Sequence, residues 1–313
     1  MYVLGIDTSN YTTSVCLIDE AGQIVKEARR LLQVEQGERG LQQSAALFQH
    51  VQHLPALVES LGDLSGSLRA VCASARPRRI EGSYMPVFTV GSGMGRALAA
   101  THGVPFLETT HQEGHIAAGE GSAGVVPADH FLAVHLSGGT TDLLEIKRLA
   151  DGYEIAELGT SIDLHAGQLV DRVGVALGLP FPAGQHLERL ARESAEEQVT
   201  LPSPVDGYNL SLAGPESAAM RLIAAGTKPA DVARAVEGCI AKGLEKVLRK
   251  AVEEKGVKAV LIVGGVAANL YIRERLIKRL EHRAVGAKLY FALPNYSTDN
   301  AFGVARLGLQ HLS

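Results

Sequence analysis

Cysteine is scarce in this chain, neither sign of charge dominates, and no long apolar run is uninterrupted; each absence closes a class of function. The three cysteines, Cys16, Cys72 and Cys239, are scattered without ligand spacing, and Cys16 and Cys72 fall in apolar, strand-like runs, a pattern suited to buried thiols in a reducing compartment. With 30 Lys and Arg against 34 Asp and Glu, the net charge is −4. That balance excludes holding nucleic acid by a bulk positive field. Two local basic runs, Arg76-Pro77-Arg78-Arg79 and the helical set Lys242, Lys246, Arg249 and Lys250, stay open as solvated faces or as contacts. The longest apolar stretch, around 259–272, is broken by Gly264, Gly265 and Asn269, and the first residues show no basic region or apolar leader. The expectation is a chain with neither signal peptide nor spanning helix, cytoplasmic by default. There is no Walker loop and no low-complexity linker, and the Gly264-Gly265 place lacks the G-x-G-x-x-G of dinucleotide folds.

At 313 residues the chain is longer than one core comfortably serves, so two packed lobes are expected. Val3 to Ser9 reads as a short buried strand ending in small hydroxyl residues, Thr12 to Ile18 as a second, and Gln23 to Glu27 as a third. The pattern returns roughly 130 residues later as Phe131 to Leu136, Asp142 to Lys147 and Tyr153 to Glu157. Such a repeat predicts two lobes of related topology facing each other. Helices are expected over about 42–61, 90–102, 164–177, 229–255 and 267–280, with a terminal helix after Asp299, and further strands over 70–74, 104–107, 259–263 and 288–292. The segments 180–184 and 201–214 read as loop and irregular chain, and 76–86 as a ligand-facing loop.

The densest chemistry lies in Thr109-Thr110-His111-Gln112-Glu113-Gly114-His115. Two histidines four apart on a helix share one face with Cβ atoms roughly 6 Å apart, near enough to share a metal ion. An ordinary surface or core pair has the same spacing. Thr110 with Glu113 is a capping-box pattern that starts the helix at His111. There the positive end of the helix dipole disfavours the protonated imidazole and keeps it available as a neutral ligand. Glu113 stands one place too late to be the base of a zincin, which sets metalloprotease chemistry aside. Asp299 reads equally as a helix cap and as the carboxylate that completes a mixed site suited to iron or zinc, with positions open for substrate or water. Ser137-Gly138-Gly139-Thr140-Thr141 is either a hairpin turn or a place where backbone amides line a phosphate. Gly264-Gly265, after a buried strand, admits an adenine or ribose close to the backbone, and Asp171 is either a surface acid or a ribose ligand.

Taken in order, Leu4-Gly5-Ile6-Asp7-Thr8-Ser9, the H-x-E-G-H segment at His111, Leu136-Ser137-Gly138-Gly139-Thr140-Thr141, Ser161-Ile162-Asp163 with Ala166-Gly167 and Asp171, Gly264-Gly265-Val266-Ala267-Ala268-Asn269 and Ser297-Thr298-Asp299-Asn300 resemble the TsaD/Gcp family. These are the universal tRNA threonylcarbamoyladenosine transferases, once called glycoproteases. The resemblance covers nearly the whole chain. It implies an α/β fold of two ribonuclease-H-like lobes, of the actin/sugar-kinase/Hsp70 (ASKHA) superfamily, with a nucleotide cleft between them. Residues 1–125 would form the N-terminal lobe, with the terminal helix 299–313 packing back on it, and 126–298 the C-terminal lobe. It implies one metal ion, iron or zinc, on His111, His115 and Asp299. It also implies an adenine nucleotide or carbamoyl-adenylate on Leu136, Ser137, Gly138, Gly139, Thr140, Asp171, Gly184 and Asn269. The implied reaction moves a threonylcarbamoyl group from AMP to the exocyclic amine of a tRNA adenosine beside the anticodon, by positioning and charge stabilisation. The implied partners are tRNA, a small paralogous subunit and an ATPase, in a homo- or heterodimer, with no membrane.

Several segments differ from the family pattern. Ser9-Asn10-Tyr11-Thr12-Thr13 stands where the family reads T-S-C-D-E-T, so two acids are gone, and Thr140 replaces the histidine of S-G-G-H-T. Arg76 to Arg79 replace a Pro-Gly-Leu loop, Glu216 stands in place of the lysine of S-G-L-K-T, and Leu164, His165 and Gln168 replace acids near Asp163. These changes mark a diverged paralogue. They keep a second expectation beside the first: a nucleotide-binding partner or regulatory subunit that has lost transfer.

Overall fold

The computed structural model describes residues 1–9, 11–34, 41–124, 126, 128–194 and 198–312; Asn10, one of the positions that differ from the family pattern, lies outside the described residues. The chain forms two compact units, Met1–Val125 with Arg148–Tyr153 and Thr298–Ser313, and Val126–Lys147 with Glu154–Ser297. Each unit has its own five-stranded sheet.

In the first unit, β1 (Tyr2–Asp7), β2 (Thr12–Asp19) and β3 (Ile24–Leu31) form an antiparallel meander. β1 is buried from Val3 to Asp7 and β2 from Thr12 to Ile18, so both read as continuous runs rather than alternating ones. β3 is the sheet edge, and its charges at Lys26, Glu27, Arg29 and Arg30 suit an edge that must not pair further. On the other side of β1, β4 (Leu68–Arg76) and β5 (Phe106–Thr110) add in parallel, giving the order β3-β2-β1-β4-β5. The crossovers are α1 (Gln43–Ser60) and α2 (Phe88–His102). α3 (His111–Ala123) follows β5 without a loop.

The second unit repeats this order strand for strand. β6 (His130–Leu136), β7 (Thr141–Leu149) and β8 (Gly152–Thr160) form the meander, and β11 (Ala259–Val263) and β12 (Lys288–Phe291) add in parallel beyond β6. Between β8 and β11 lie α4 (Ala166–Ala176), α5 (Gly184–Ala191), a small hairpin of β9 (Val205–Asp206) and β10 (Asn209–Leu210), α6 (Ala213–Ala224) and α7 (Pro229–Lys255). The irregular chain expected over 201–214 therefore contains a hairpin and leads into a helix. Gly214 and Pro215, which read as breakers, occupy the first turn of α6, where proline's missing N–H leaves no bond unmade. α7 carries its own stop and start signals: Pro229 at its first position, Asp231 in the first turn, Lys255 in the last, and Gly256 at φ 67° beyond it. Its apolar side, with Val236, Ile240 and Leu244, closes the core over Leu132, Val134, Val260 and Ile262. A 3-10 turn (Gly265–Ala268) precedes α8 (Leu270–Leu280), so the helix expected from 267 begins three residues later.

α9 (Phe302–Gln310) belongs to the first unit, where it packs on β1 and α3. Two glycines permit that approach. A methyl group built at Gly5 would lie 2.5 Å from the Ala301 carbonyl oxygen, and one at Gly303 would lie 1.8 Å from that of Gly114. Only hydrogen fits at either place. Cys16, Cys72 and Cys239 are buried and form no disulfide among the described residues, and no helix of the described residues is long and apolar enough to cross a membrane.

Candidate functional site

α3 brings His111 and His115 onto one side of its first turns. Thr110 Oγ1 accepts the Glu113 amide at 3.1 Å, while Glu113 Oε2 accepts the Thr110 amide at 3.1 Å, the reciprocal capping box read from the sequence. Glu113 is only 2% exposed, and its other oxygen accepts the Tyr153 amide at 3.4 Å, so this carboxylate is committed to structure. The Pro77 carbonyl takes the Gln112 amide at 3.1 Å, and Arg79 lies 3.8 Å from Glu113 and 3.3 Å from Asp151. The 76–79 segment is thus bound to the start of α3.

The imidazole Nε2 atoms of His111 and His115 are 3.0 Å apart. Asp299 Oδ1 lies 3.5 Å from the first and 3.3 Å from the second. Next to it, Asn300 Oδ1 accepts the Phe302 amide at the start of α9. A triangle with sides of 3.0, 3.3 and 3.5 Å has a circumradius of about 1.9 Å, so all three atoms could reach one ion at about 2.0–2.2 Å. The donor set therefore fits a divalent metal. Two imidazoles and a carboxylate suit zinc or iron.

The residue that sequence reading missed is Asp7, at the end of β1. It is 1% exposed, and its Oδ2 lies 3.2 Å from His111 Nδ1. Ser9 and Ser74 hold its carboxylate further, through the Ser9 amide and hydroxyl and the Ser74 hydroxyl. A carboxylate on Nδ1 makes that nitrogen the protonated one and leaves Nε2 with its lone pair for a ligand role. The signal in the sequence was an acid ending an otherwise apolar strand. Asp7 also corrects the expected charge of His111. Burial does lower the tendency of His111 to protonate, but Asp7 and Asp299 outweigh it, and the imidazole is held above its ordinary pKa, not below it. Asp7 is pushed up by burial and pulled down more strongly by His111, for a net lowering.

The residues expected to hold a nucleotide all belong to the second unit. Leu136 ends β6, and Ser137 to Thr140 form the turn into β7, closed by the Ser137 amide on the Thr140 carbonyl at 2.8 Å. A methyl group built at Gly138 or Gly139 would meet open space, whereas one at Gly167 would lie 2.6 Å from the Gly138 amide and one at Gly264, at φ 102°, 2.1 Å from the Leu136 carbonyl. The turn is thus packed tightly from behind and open in front. Asp171 Oδ1 accepts the Ala183 amide at 2.7 Å, just before Gly184 opens α5; burial holds this carboxyl above its usual range. Asn269 is drawn inward. Its Oδ1 caps α8 through the Ile272 amide at 3.0 Å, and its Nδ2 donates to Glu237 Oε1 at 2.6 Å. Glu237, which the sequence did not flag, is 2% exposed, and burial pushes it up to about 7 against the opposing Asn269 bond and Arg234 charge. Asp163 gathers the Leu164, Leu212 and Ala213 amides and the Ser211 hydroxyl, which hold it low against the effect of burial. Glu216, the acid in place of a lysine, faces Arg172 at 3.3 Å.

The strand order shared by both units defines a pair of ribonuclease-H-like folds of the ASKHA class. Solved structures of that class are similar over almost the whole chain. T. kodakarensis HypF superposes with a TM-score of 0.61 at 16% identity, covering 99% of this chain and 48% of that one. Component A of (R)-2-hydroxyglutaryl-CoA dehydratase from Acidaminococcus fermentans gives 0.59 at 16% identity, covering 99% and 98%. A ROK family glucokinase from Streptomyces griseus gives 0.53 at 15% identity, covering 98% and 99%. At such identities the likeness is one of fold alone. Sequence similarity reaches further: the family model for TsaD, tRNA N6-adenosine threonylcarbamoyltransferase, matches residues 33–306. The tRNA N6-adenosine threonylcarbamoyltransferases of two Thermus thermophilus strains are each 34% identical over 312 positions, spanning 97% of this chain and 91% and 90% of theirs. The chain belongs to the TsaD family of tRNA N6-adenosine threonylcarbamoyltransferases.

Proposed function

We propose that this chain binds threonylcarbamoyl-AMP and, with a metal ion, transfers the threonylcarbamoyl group to N6 of a tRNA adenosine. The observation that carries the proposal is the convergence of His111, His115 and Asp299, whose ligand atoms lie within 4.8 Å of one another, in a chain of a transferase family. These three residues would hold iron or zinc, and the bound ion supplies Lewis-acid stabilisation of charge on a carbonyl or phosphoryl oxygen. Asp7 keeps the His111 Nε2 lone pair directed at the shared position. The Ser137 to Thr140 turn would take the phosphate of the adenylate on backbone amides, its open front receiving the ligand. Asp171, with one oxygen on the Ala183 amide, has the other for a ribose hydroxyl. In the reaction the N6 amine attacks the carbamoyl carbonyl carbon, the bond from that carbon to the phosphate oxygen breaks, AMP leaves with the electron pair, and N6 gives up a proton.

The reading is tested by incubating the chain with threonylcarbamoyl-AMP, unmodified tRNA, the small paralogous subunit and the ATPase, and reading nucleosides by mass spectrometry. Modified adenosine is expected from the wild type and none from Asp299→Ala. A second reading, a regulatory subunit that binds nucleotide without transfer, is favoured by Thr140 where the family has histidine. It prevails if the wild type binds the adenylate yet yields no product beside a working family member.

A further inference from the structure

Glu237 on α7 is a buried acid to which the proposed reaction gives no part, and its two oxygens bond different neighbours. Oε2 accepts from Arg234 Nη1 at 2.6 Å, one turn earlier on the same helix, and Oε1 accepts from Asn269 Nδ2 at 2.6 Å. Arg234 is itself held. Its other terminal nitrogen donates to the Ala191 carbonyl of α5 at 3.0 Å, and its guanidinium lies over the Tyr271 ring at 4.3 Å from the centroid. Oε1 is therefore an acceptor in a fixed place. On Asn269 the amide oxygen takes the Ile272 N–H at 3.0 Å while the amide nitrogen gives to Glu237. Turned over, the amide would set its N–H groups against the Ile272 donor and its oxygen against a carboxylate, so only one orientation satisfies both neighbours. Asn269 closes the 3-10 turn that begins at Gly265, and that turn lies against the end of β6: a methyl group built at Gly264 would lie 2.1 Å from the Leu136 carbonyl oxygen. At Gly265 a built methyl group would meet no atom of the described residues within 4 Å. The open place at Gly265 and the open Ser137 to Thr140 turn are thus neighbours in the second unit.

We propose that Glu237 is a positioning residue for the nucleoside: through Asn269 it fixes the Gly264 to Asn269 turn in the form that receives the adenylate. This role rests on the adenylate reading given above. At 2% exposure Glu237 has no surface to offer a ligand, so its effect passes through the amide it orients. That amide keeps one Nδ2 hydrogen and one Oδ1 lone pair beyond the two bonds it makes, and the bond to Glu237 decides where both are aimed. Other bonds hold the flanks of the turn, Arg273 Nε on the Ala267 carbonyl at 2.6 Å and Glu188 Oε1 on the Leu270 amide at 3.1 Å. Neither of them touches the Asn269 side chain, which leaves its orientation to Glu237 and Ile272.

The test is isothermal titration of the full chain with AMP, beside hydrogen exchange at the Ile272 amide without ligand. Glu237→Leu, of similar volume but with no acceptor, is expected to bind AMP about tenfold more weakly and to exchange at Ile272 roughly fivefold faster. Glu237→Gln keeps a carbonyl acceptor and should recover to within about threefold of the wild type, which a role in packing alone would not require. In an Asn269→Ala background Glu237→Leu should cost less than about twofold, because the residue through which it acts is gone. Glu237→Leu leaves Arg234 with one partner fewer; if circular dichroism shows that variant unfolded, Glu237→Leu/Arg234→Leu, which removes both charges, takes its place with the same expected loss. Wild-type affinity in the folded Leu variant, equal losses with and without Asn269, or unchanged exchange at Ile272 overturns the proposal. A wild type that does not bind AMP overturns the adenylate reading and this role with it, and the exchange measurement, which needs no ligand, tells that failure from a failure of the Glu237 to Asn269 link.

Discussion

Replacing Gly303 by alanine is expected to weaken metal binding although it alters none of the three ligands. The new methyl group would lie 1.8 Å from the Gly114 carbonyl oxygen and 2.6 Å from the Ala118 amide, both backbone atoms of α3. Backbone cannot rotate away as a side chain can, so α9 must retreat from α3 by about 1.4 Å or more to reach a tolerable contact of about 3.2 Å. Asp299 lies three residues before α9, and His115 lies on α3 itself. A retreat of that size carries the Asp299 Oδ1 to His115 Nε2 distance from 3.3 Å to nearly 5 Å, whereas two ligands each about 2.2 Å from one ion can be at most about 4.4 Å apart. The overpacking itself costs about 1–3 kcal/mol, which a domain of this size survives. The assay is competition for zinc against a chromophoric chelator, with circular dichroism to show that the variant is folded. Loss of one ligand of three should lower affinity by at least about tenfold, the lower end of what even outer-shell changes do. A folded Gly303→Ala protein with wild-type affinity would refute the argument that α3 and α9 set the ligand spacing.

Asp7→Asn should lower metal affinity by about 10–100-fold with the ligands untouched, because the His111 Nδ1–H loses its anionic acceptor; the same chelator competition checks it, and unchanged affinity would reduce Asp7 to a packing role. Glu237 makes stability depend on pH in a defined direction. Its carboxyl titrates near 7 in the folded chain against 4.5 ordinarily, so folding takes up a proton between those values, and its contribution falls by about 3 kcal/mol as pH rises through that window. Glu237→Gln should therefore gain on the wild type in urea unfolding between about pH 5 and pH 8, and parallel stability curves would contradict the assignment.

Particular elements show what could be read before the structure. The meander of β1 to β3 and its repeat in β6 to β8 were legible because continuous apolar runs and Gly-containing turns are local signals. The start of α3 was legible because a capping box is complete within four residues. α5 and α6 were not. In α5 only Leu187 and Ala191 are buried, too few for a period in eight residues, and α6 hides behind Gly214 and Pro215. The remainder of α3 shows no amphipathic period because every residue from Glu113 to Glu120 is buried. The cause lies outside the helix: α9 packs on it, and Tyr153 and Arg148 bond Glu120.

The sequence by itself determined the residue types of the candidate metal centre, the spacing of its two histidines on a capped helix, the repeated α/β pattern and the family to which the chain belongs, since each is written in short stretches or in their order. Only the tertiary structure decided that Asp299, 184 positions after His115, comes within 3.3 Å of it. The structure alone decided that Asn300 accepts the first amide of α9, that Asp7 orients His111 and raises its pKa, and that Asn269 turns toward Glu237. Those outcomes rest on distances between segments remote in the chain. A carboxylate's effect on an imidazole falls with separation and rises with burial, and neither quantity exists until the chain folds; for Asp299 that takes α9 closing on β1 at Gly5 and on α3 at Gly303.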